Sequence, residues 1–231
     1  MNNDVSTPTS RAAVLHWLPV LFVLAASGCG GGSDSPTPPA AGPAPAPAPA
    51  PAPPPLPSIA PAVNLDDNHQ VGTLFFPDGD TATGGQSQTV DNIPCGAVVD
   101  TFHIHSHLSI FVDGDAKAIP AQVGIVQTSS TTDCHYWVHT HDHSGKIHME
   151  APAPQAFTLG NLFAIWGMPL TSTNVAGITN VTLTAIYITE NGTVTQFTGD
   201  PATIQMTSHR HIAIVLGTPI TQVPFFTWTA N

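Results

Sequence analysis

The chain is poor in positive charge. Its 231 residues include only four Lys and Arg against fifteen Asp and Glu, and the formal net charge is −11 with histidine neutral. Phosphate binding needs clustered Lys and Arg, so this composition argues against nucleic acid as a partner. It also argues against docking on anionic lipid through a basic patch. The chain does have twelve histidines, and an acidic, histidine-rich protein is suited to binding cations.

Cysteine is equally scarce, with one residue near the N-terminus, Cys29, and two in the later part of the chain, Cys95 and Cys134. In an exported protein the compartment is oxidising, so we expect Cys95 and Cys134 to form a disulfide. Closing such a loop typically contributes roughly 3–4 kcal/mol. The alternative is that both are thiolate metal ligands, although neither belongs to a C-x-x-C pair.

Residues 1–28 have the pattern of a signal peptide, with Arg11 as the positive flank and an apolar stretch over 12–26. That stretch is too short to span a membrane and contains a proline. Small residues before Cys29 resemble the bacterial lipobox, which implies cleavage before Cys29 and lipidation of its thiol. Several acyl chains on one cysteine give stable anchoring. Gly30 after the cysteine implies sorting to the outer membrane in Gram-negative bacteria.

The lipidated cysteine begins a segment, residues 29–63, that is dominated by alternating proline and alanine. Proline fixes φ and favours polyproline II, so we predict a semi-rigid spacer that holds a domain away from a membrane or wall. Residues 64–231 are long enough for one folded domain with its own core.

Alternating apolar and polar residues and frequent Gly, Asp and Asn turns predict a mostly-β domain, an antiparallel sandwich or barrel with one short helix. The helix is expected over 159–166, with Thr158 as N-cap and Gly167 beyond its end. Turn signals stand at Asp113-Gly114, Ser144-Gly145 and Asn191-Gly192. Strands are predicted near 71–76, 98–112, 117–126, 135–141, 146–150, 180–189, 193–197 and 208–216.

Ten of the twelve histidines fall between His103 and His211, in three clusters. In the first cluster, side chains of a strand alternate between faces, so His103, His105 and His107 share one face. The apolar residues that alternate with them define the opposite face as the core face, and they include Phe102, Ile104, Leu108, Ile110 and Val112.

The second cluster spans 135–150 and is predicted to be a hairpin with its turn near His143-Ser144. That register places His139 opposite His148 and Trp137 opposite Glu150. Cross-strand neighbours lie roughly 5 Å apart, close enough for two imidazoles to share one metal. One face then carries His139, His141, His148 and Glu150. A slip of one residue would destroy this grouping.

The third cluster is His209 and His211, again predicted to share a face of a strand whose other face is apolar. The spacing His209-x-His211-Ile-x-Ile matches His105-x-His107-Leu-x-Ile in the first cluster. This match suggests a short internal repeat, two related strands that both contribute to one site.

Neutral imidazole is the usual nitrogen ligand of copper, zinc, nickel and iron. A single H-x-H unit on a strand is a weak signal, but three such units opposite apolar faces favour a transition-metal site. The predicted ligands are His103, His105, His107, His139, His141, His148, His209 and His211. Asp142 and Glu150 are predicted to lie just outside the ligand shell, where each accepts a hydrogen bond from the ring N–H that does not face the metal. Glu150 is also open to a role as partner of Lys146 or as a general base near bound water.

Four blocks resemble a family of exported bacterial and archaeal proteins known chiefly as uncharacterised sequences. They are HIHxHL at 103–108, IPAxxGI at 119–125, WxHTHDxSGxIHxExP at 137–152 and FTLGxxFxIWG at 157–167. The resemblance covers roughly residues 95–217, and the HTHD block is its most specific part. It implies that the histidine blocks form one module, and it brings no established reaction.

Copper is the predicted metal ahead of zinc, because affinity for nitrogen sites peaks at copper in the divalent series. The leading hypothesis is a cell-envelope lipoprotein, at the outer membrane, that captures, buffers or delivers this metal. The second hypothesis is a metalloenzyme, either a copper oxidoreductase or a metal-assisted hydrolase. The third is a surface module in which metal only stabilises the fold. No phosphate loop, G-x-S-x-G elbow or H-E-x-x-H helix is present to support another chemistry.

Overall fold

The computed structural model describes residues 55–66, 68–79, 85–127 and 133–228. The predicted signal peptide, the lipidation site Cys29 and most of the proline-rich linker lie outside the described residues. The described part is mostly β with one short α-helix, as the sequence predicts, and none of its sheets closes into a barrel. The elements in chain order are β1 Ser58–Asn64, β2 Cys95–Gly96, β3 Phe102–Val112, β4 Asp115–Lys117, β5 Ile125–Gln127, β6 Asp133–Tyr136, β7 Val138–His139, β8 Lys146–Ala151, β9 Phe157–Thr158, α1 Leu159–Trp166, β10 Leu183–Glu190, β11 Thr193–Phe197, a 3-10 turn Pro201–Thr203, β12 Gln205–Met206, β13 His211–Leu216 and β14 Gln222–Thr227.

The main sheet has seven strands in the order β11-β10-β13-β3-β8-β7, with β4 pairing the second half of β3. β3 is the longest strand and lies at the centre. All pairs in this sheet are antiparallel except β13 with β3, which are parallel. The sheet is therefore mixed and departs from the predicted antiparallel pattern at this pair. A parallel pair needs a long crossover, and the chain between β3 and β13 provides it.

One face of the main sheet forms the hydrophobic core against α1. The helix begins where Thr158 caps it and Asn161 closes a capping box, and it ends at Gly167 in the left-handed conformation (φ 72°). The core side chains come from alternate positions of the central strands, as the sequence predicts for the apolar face of β3. They include Leu108, Ile110, Ile147, Met149, Ile186, Ile212 and Ile214 from the sheet, and Leu159, Leu162, Phe163, Ile165 and Trp166 from the helix.

The second face of the main sheet is covered at one end by a two-stranded parallel sheet of β1 and β14. Val223 of β14 packs there with Tyr187 of β10 and Val215 of β13. β1 (Ser58–Asn64) overlaps the end of residues 29–63, which the sequence places in the linker. The register of β1 shifts between Ile59 and Ala62, next to Pro61, and an irregular strand at an edge is where proline is tolerated.

Several predicted strands are shorter or divided in the structure. The segment 117–126 contains the end of β4 and the start of β5, separated by a turn in which Gln122 and Gly124 have positive φ. The segment 71–76 forms no strand among the described residues, only an isolated bridge between Thr73 and Lys117.

The predicted disulfide is confirmed: Cys95 of β2 and Cys134 of β6 are joined, with their Cα atoms 5.3 Å apart.

Candidate metal centre

Three histidines from three adjacent strands lie in one row across the second face of the main sheet. His105 of β3 pairs with His148 of β8, and His148 pairs in turn with His139 of β7. The hairpin register predicted from the turn near His143-Ser144 is therefore confirmed. The Glu150 backbone N–H also donates to the Trp137 carbonyl at 2.8 Å, as that register requires.

The same register brings three further side chains to this row. His103 lies directly opposite Glu150 across the β3–β8 pair, and His141 follows β7 in the connection to β8. The resulting cluster of five imidazoles and one carboxylate divides into two overlapping groups whose possible ligand atoms lie within 4.8 Å of one another. One group is His103, His105 and His148, and the other is His139, His141, His148 and Glu150.

The first group has the spacing of a three-histidine metal site. His105 Nε2 lies 3.0 Å from both His103 Nε2 and His148 Nδ1, and the latter two atoms are 3.4 Å apart. Zinc–nitrogen bonds of about 2.0–2.1 Å in a tetrahedral site place two ligand atoms roughly 3.3–3.4 Å apart. The three nitrogens therefore form one face of a coordination shell and need little movement to receive an ion.

The second group joins the first through His148 and Glu150. His139 Nε2 and His141 Nε2 are 3.2 Å apart. Glu150 Oε1 lies 3.8 Å from His139 Nε2 and also 3.2 Å from His103 Nε2. Its distance from His148 Nδ1 is 3.4 Å. Sequence reasoning placed Glu150 behind the ligands, whereas the structure places its carboxylate among them.

Lowered pKa values favour the neutral form that metals bind at four imidazoles of the centre, those of His105, His139, His141 and His148. Burial, followed by the neighbouring imidazoles, lowers the pKa of His105 and His148 from 6.5 to about 3. Burial likewise lowers the pKa of His139 to about 3, against the opposing effect of Glu150. The pKa of the more exposed His141 is lowered as well, again chiefly by desolvation. Nitrogen lone pairs at these positions are not blocked by protons near neutral pH.

Hydrogen bonds to the backbone orient His139 and hold the turn that leads into β8. His139 Nδ1 donates to the Tyr136 carbonyl at 2.9 Å, which directs Nε2 toward the other ligands. Asp142, predicted to accept a ring N–H, instead accepts the backbone N–H of Ser144 at 2.9 Å and of Asn68 at 2.8 Å. It therefore holds the turn between β7 and β8.

A pocket of about 290 Å³ opens beside these ligands. Lys146, a buried residue, is one of its lining residues and lies next to the candidate metal ligands. Its lining residues are Asn68, His103, His141, Asp142, Lys146, His148 and Glu150.

The structure does not bring His107, His209 and His211 into this cluster. His107 Nε2 donates to the Ser144 carbonyl at 2.8 Å, and its ring lies 4.2 Å from that of Phe226. His209 has a positive φ of 61° just before β13, so strand alternation does not apply to it, and its ring stacks on Trp228.

The proposed internal repeat does correspond to neighbouring strands. β3 and β13 pair in the register that sets His107 opposite His211 and Leu108 opposite Ile212. However, the two histidine positions meet different surroundings. The ring of His211 lies 5.0 Å from Phe225 and 5.3 Å from Trp228, so β14 and the residue after it convert this end of the face into an aromatic cluster.

Comparisons of the chain with protein-family models, with curated proteins and with solved structures found no significant match. The resemblance carried by the four sequence blocks therefore stays a prediction. Within the described residues, no helix is both long enough and apolar enough to cross a membrane.

Proposed function

We propose that this protein binds a transition metal ion at the cell envelope and serves to capture, buffer or deliver it. The observation that carries the proposal is the set of three imidazole nitrogens of His103, His105 and His148, 3.0–3.4 Å apart. Glu150 beside them offers an anionic oxygen. Three nitrogens with room for a fourth ligand form a donor set typical of zinc and copper sites.

We favour copper over zinc as the ion. Imidazole nitrogen outnumbers oxygen in the cluster, and affinity for such sites peaks at copper among divalent ions. Both cysteines of the described domain are bonded to each other, so thiolate is missing from the ligand set. We therefore infer a non-blue copper centre in the Cu(II) state that an oxidising compartment favours.

The proposed place of action rests on the N-terminal sequence. Cleavage before Cys29 and lipidation of its thiol would anchor the domain in a membrane, and Gly30 favours the outer membrane. The Pro/Ala-rich segment would then hold the metal centre away from the lipid surface, facing the periplasm or the cell exterior. This distance from the membrane would leave the metal centre accessible to a partner that exchanges the ion.

The pocket beside the cluster supports a second candidate, a metalloenzyme. A ligand entering this space of about 290 Å³ would meet His141, Glu150 and Lys146 among its lining residues. An open coordination position with a carboxylate nearby is the arrangement of copper oxidoreductases or metal-assisted hydrolases. Turnover by the loaded protein would favour this candidate over storage or delivery.

Elemental analysis of the full chain tests the proposal. The protein is exported to a periplasm without a His tag, stripped of metal, loaded with Cu(II) or Zn(II) and dialysed. We expect retention of bound metal, with nitrogen hyperfine structure in the Cu(II) paramagnetic resonance spectrum. His148→Ala removes the histidine shared by both groups and should weaken binding by more than about 100-fold, beyond the effect of losing an outer partner.

His209→Ala is the matched control, because it removes a histidine that lies outside the cluster and should leave metal affinity unchanged. Circular dichroism establishes that both variants are folded. Failure of the wild-type chain to take up either ion, or equal affinities in the wild type and folded His148→Ala, would refute the proposed function.

A further inference from the structure

We propose that the cluster holds two metal ions, with a second ion bound by His139 and His141 and the Glu150 carboxylate bridging the pair. This inference rests on the proposed function and extends it from one ion to a dinuclear centre. The first ion is assigned to His103, His105 and His148 Nδ1.

The cluster offers more ligands than one ion of the expected kind uses. Zinc and Cu(II) in protein sites are commonly four-coordinate, and occasionally five-coordinate. Three histidines and one further ligand would already complete the first ion's shell. The buried His139 and the exposed His141 would then remain as a pair of imidazoles with no role in that shell.

One six-coordinate ion does not account for the arrangement either. With bonds of about 2.1 Å, the two most distant ligands of an octahedral ion are roughly 4.2 Å apart. The six side chains of the cluster do not fall within one such sphere: among the described residues they divide into two groups, each compact to 4.8 Å. The division separates His103 and His105 of β3 from His139 and His141 of the hairpin.

Each group contains a pair of nitrogens at the spacing of neighbouring ligands on one ion. The His103–His105 pair is separated by 3.0 Å and the His139–His141 pair by 3.2 Å. The hydrogen bond from His139 Nδ1 to the Tyr136 carbonyl at 2.9 Å orients its free nitrogen toward His141. The second pair is therefore organised as a metal-binding pair in its own right.

Glu150 lies between the two pairs. Its Oε1 atom is 3.2 Å from a nitrogen of the first pair and 3.8 Å from a nitrogen of the second. A carboxylate has two oxygens, and paired ions in two-metal sites lie about 3.5–4 Å apart. Its negative charge would also reduce the repulsion between two cations in a site where Glu150 is only 7% exposed.

The pocket of about 290 Å³ gives such a pair of ions access to a ligand. It is lined by His103 from the first pair and by His141 from the second. A small oxygen-donor ligand entering there would reach both ions, which is how two-metal sites clamp a substrate. Lys146 also lines the pocket, and a basic residue there favours an anionic ligand.

Metal stoichiometry of the full chain tests this inference, with Cu(II) and Zn(II) as separate probes. We expect two ions per chain at saturation and a metal–metal distance of about 3.5–4 Å in X-ray absorption of the copper-loaded protein. His141→Ala should reduce the stoichiometry to one ion. This side chain is exposed, so its removal leaves no buried cavity. His209→Ala should retain two ions.

Saturation of the wild-type chain at one ion, or two ions retained by His141→Ala, would overturn the second site while leaving the proposed function intact. Absence of any bound ion in the wild type would refute the proposed function itself and the dinuclear centre with it.

Discussion

Acidification should destabilise the metal-free protein through its buried histidines, and His107 allows the size of this effect to be worked out. Burial, followed by the nearby His211, lowers the pKa of His107 to about 3, whereas an unfolded chain titrates near 6.5. Below pH 6.5 the unfolded state therefore binds a proton that the folded state does not bind. The free energy of unfolding consequently decreases as pH falls toward 3. Between pH 7 and pH 5 this residue alone costs about 2 kcal/mol.

Urea unfolding of the metal-free, disulfide-intact chain at pH 7 and pH 5 measures the effect. His107→Gln does not titrate, and its amide can still donate to the Ser144 carbonyl that His107 Nε2 contacts at 2.8 Å. The variant should lose about 2 kcal/mol less stability than the wild type over this pH interval. His209→Gln is the control, since His209 is exposed. The reasoning is refuted if His107→Gln and the wild type show the same pH dependence.

Three further predictions concern the scaffold and the centre. Replacing Cys95 and Cys134 with serine should lower the unfolding free energy by roughly 3–4 kcal/mol, which denaturant titration measures; an unchanged midpoint would contradict a stabilising disulfide. Gly145→Ala should lower the stability of the protein far more than Gly114→Ala. Both glycines have positive φ, but of the two only Gly145 has a backbone carbonyl where the new Cβ would lie. Equal losses in thermal unfolding would argue against that packing. Glu150→Gln should weaken metal binding by about 10–100-fold in a chelator competition, and unchanged affinity would exclude its carboxylate as a ligand.

Local sequence patterns predicted much of the scaffold around the centre. Alternation along 102–112 placed the imidazoles of His103 and His105 opposite the apolar core face, because successive side chains of a strand point to opposite sides. A turn near His143-Ser144 set the register of the short hairpin, and with it the His139–His148 pair. Thr158 and Gly167 marked both ends of the helix. These features depend on neighbours a few residues apart.

Other features depended on contacts that no local pattern specifies. Pairing of β3 with β8 brings His105 to His148 across 43 residues of sequence, and the alternation of either strand is equally compatible with a different partner. The predictions also missed β14, where Pro224 interrupts a short apolar segment. Without β14, nothing in the sequence distinguished the histidines at the covered end of the sheet from those at the open end.

The sequence by itself determined which faces carry imidazole, because the period of a strand is a property of the backbone. Only the tertiary structure decided which of those faces share a site, because that depends on the order of strands in the sheet and on what packs over them. His107 and His211 occupy the same face as His105, yet Phe226 and Trp228 pack against them. His139 and His141 come from the first half of the β7–β8 hairpin. They reach the centre because β8, the second strand of that hairpin, pairs with β3.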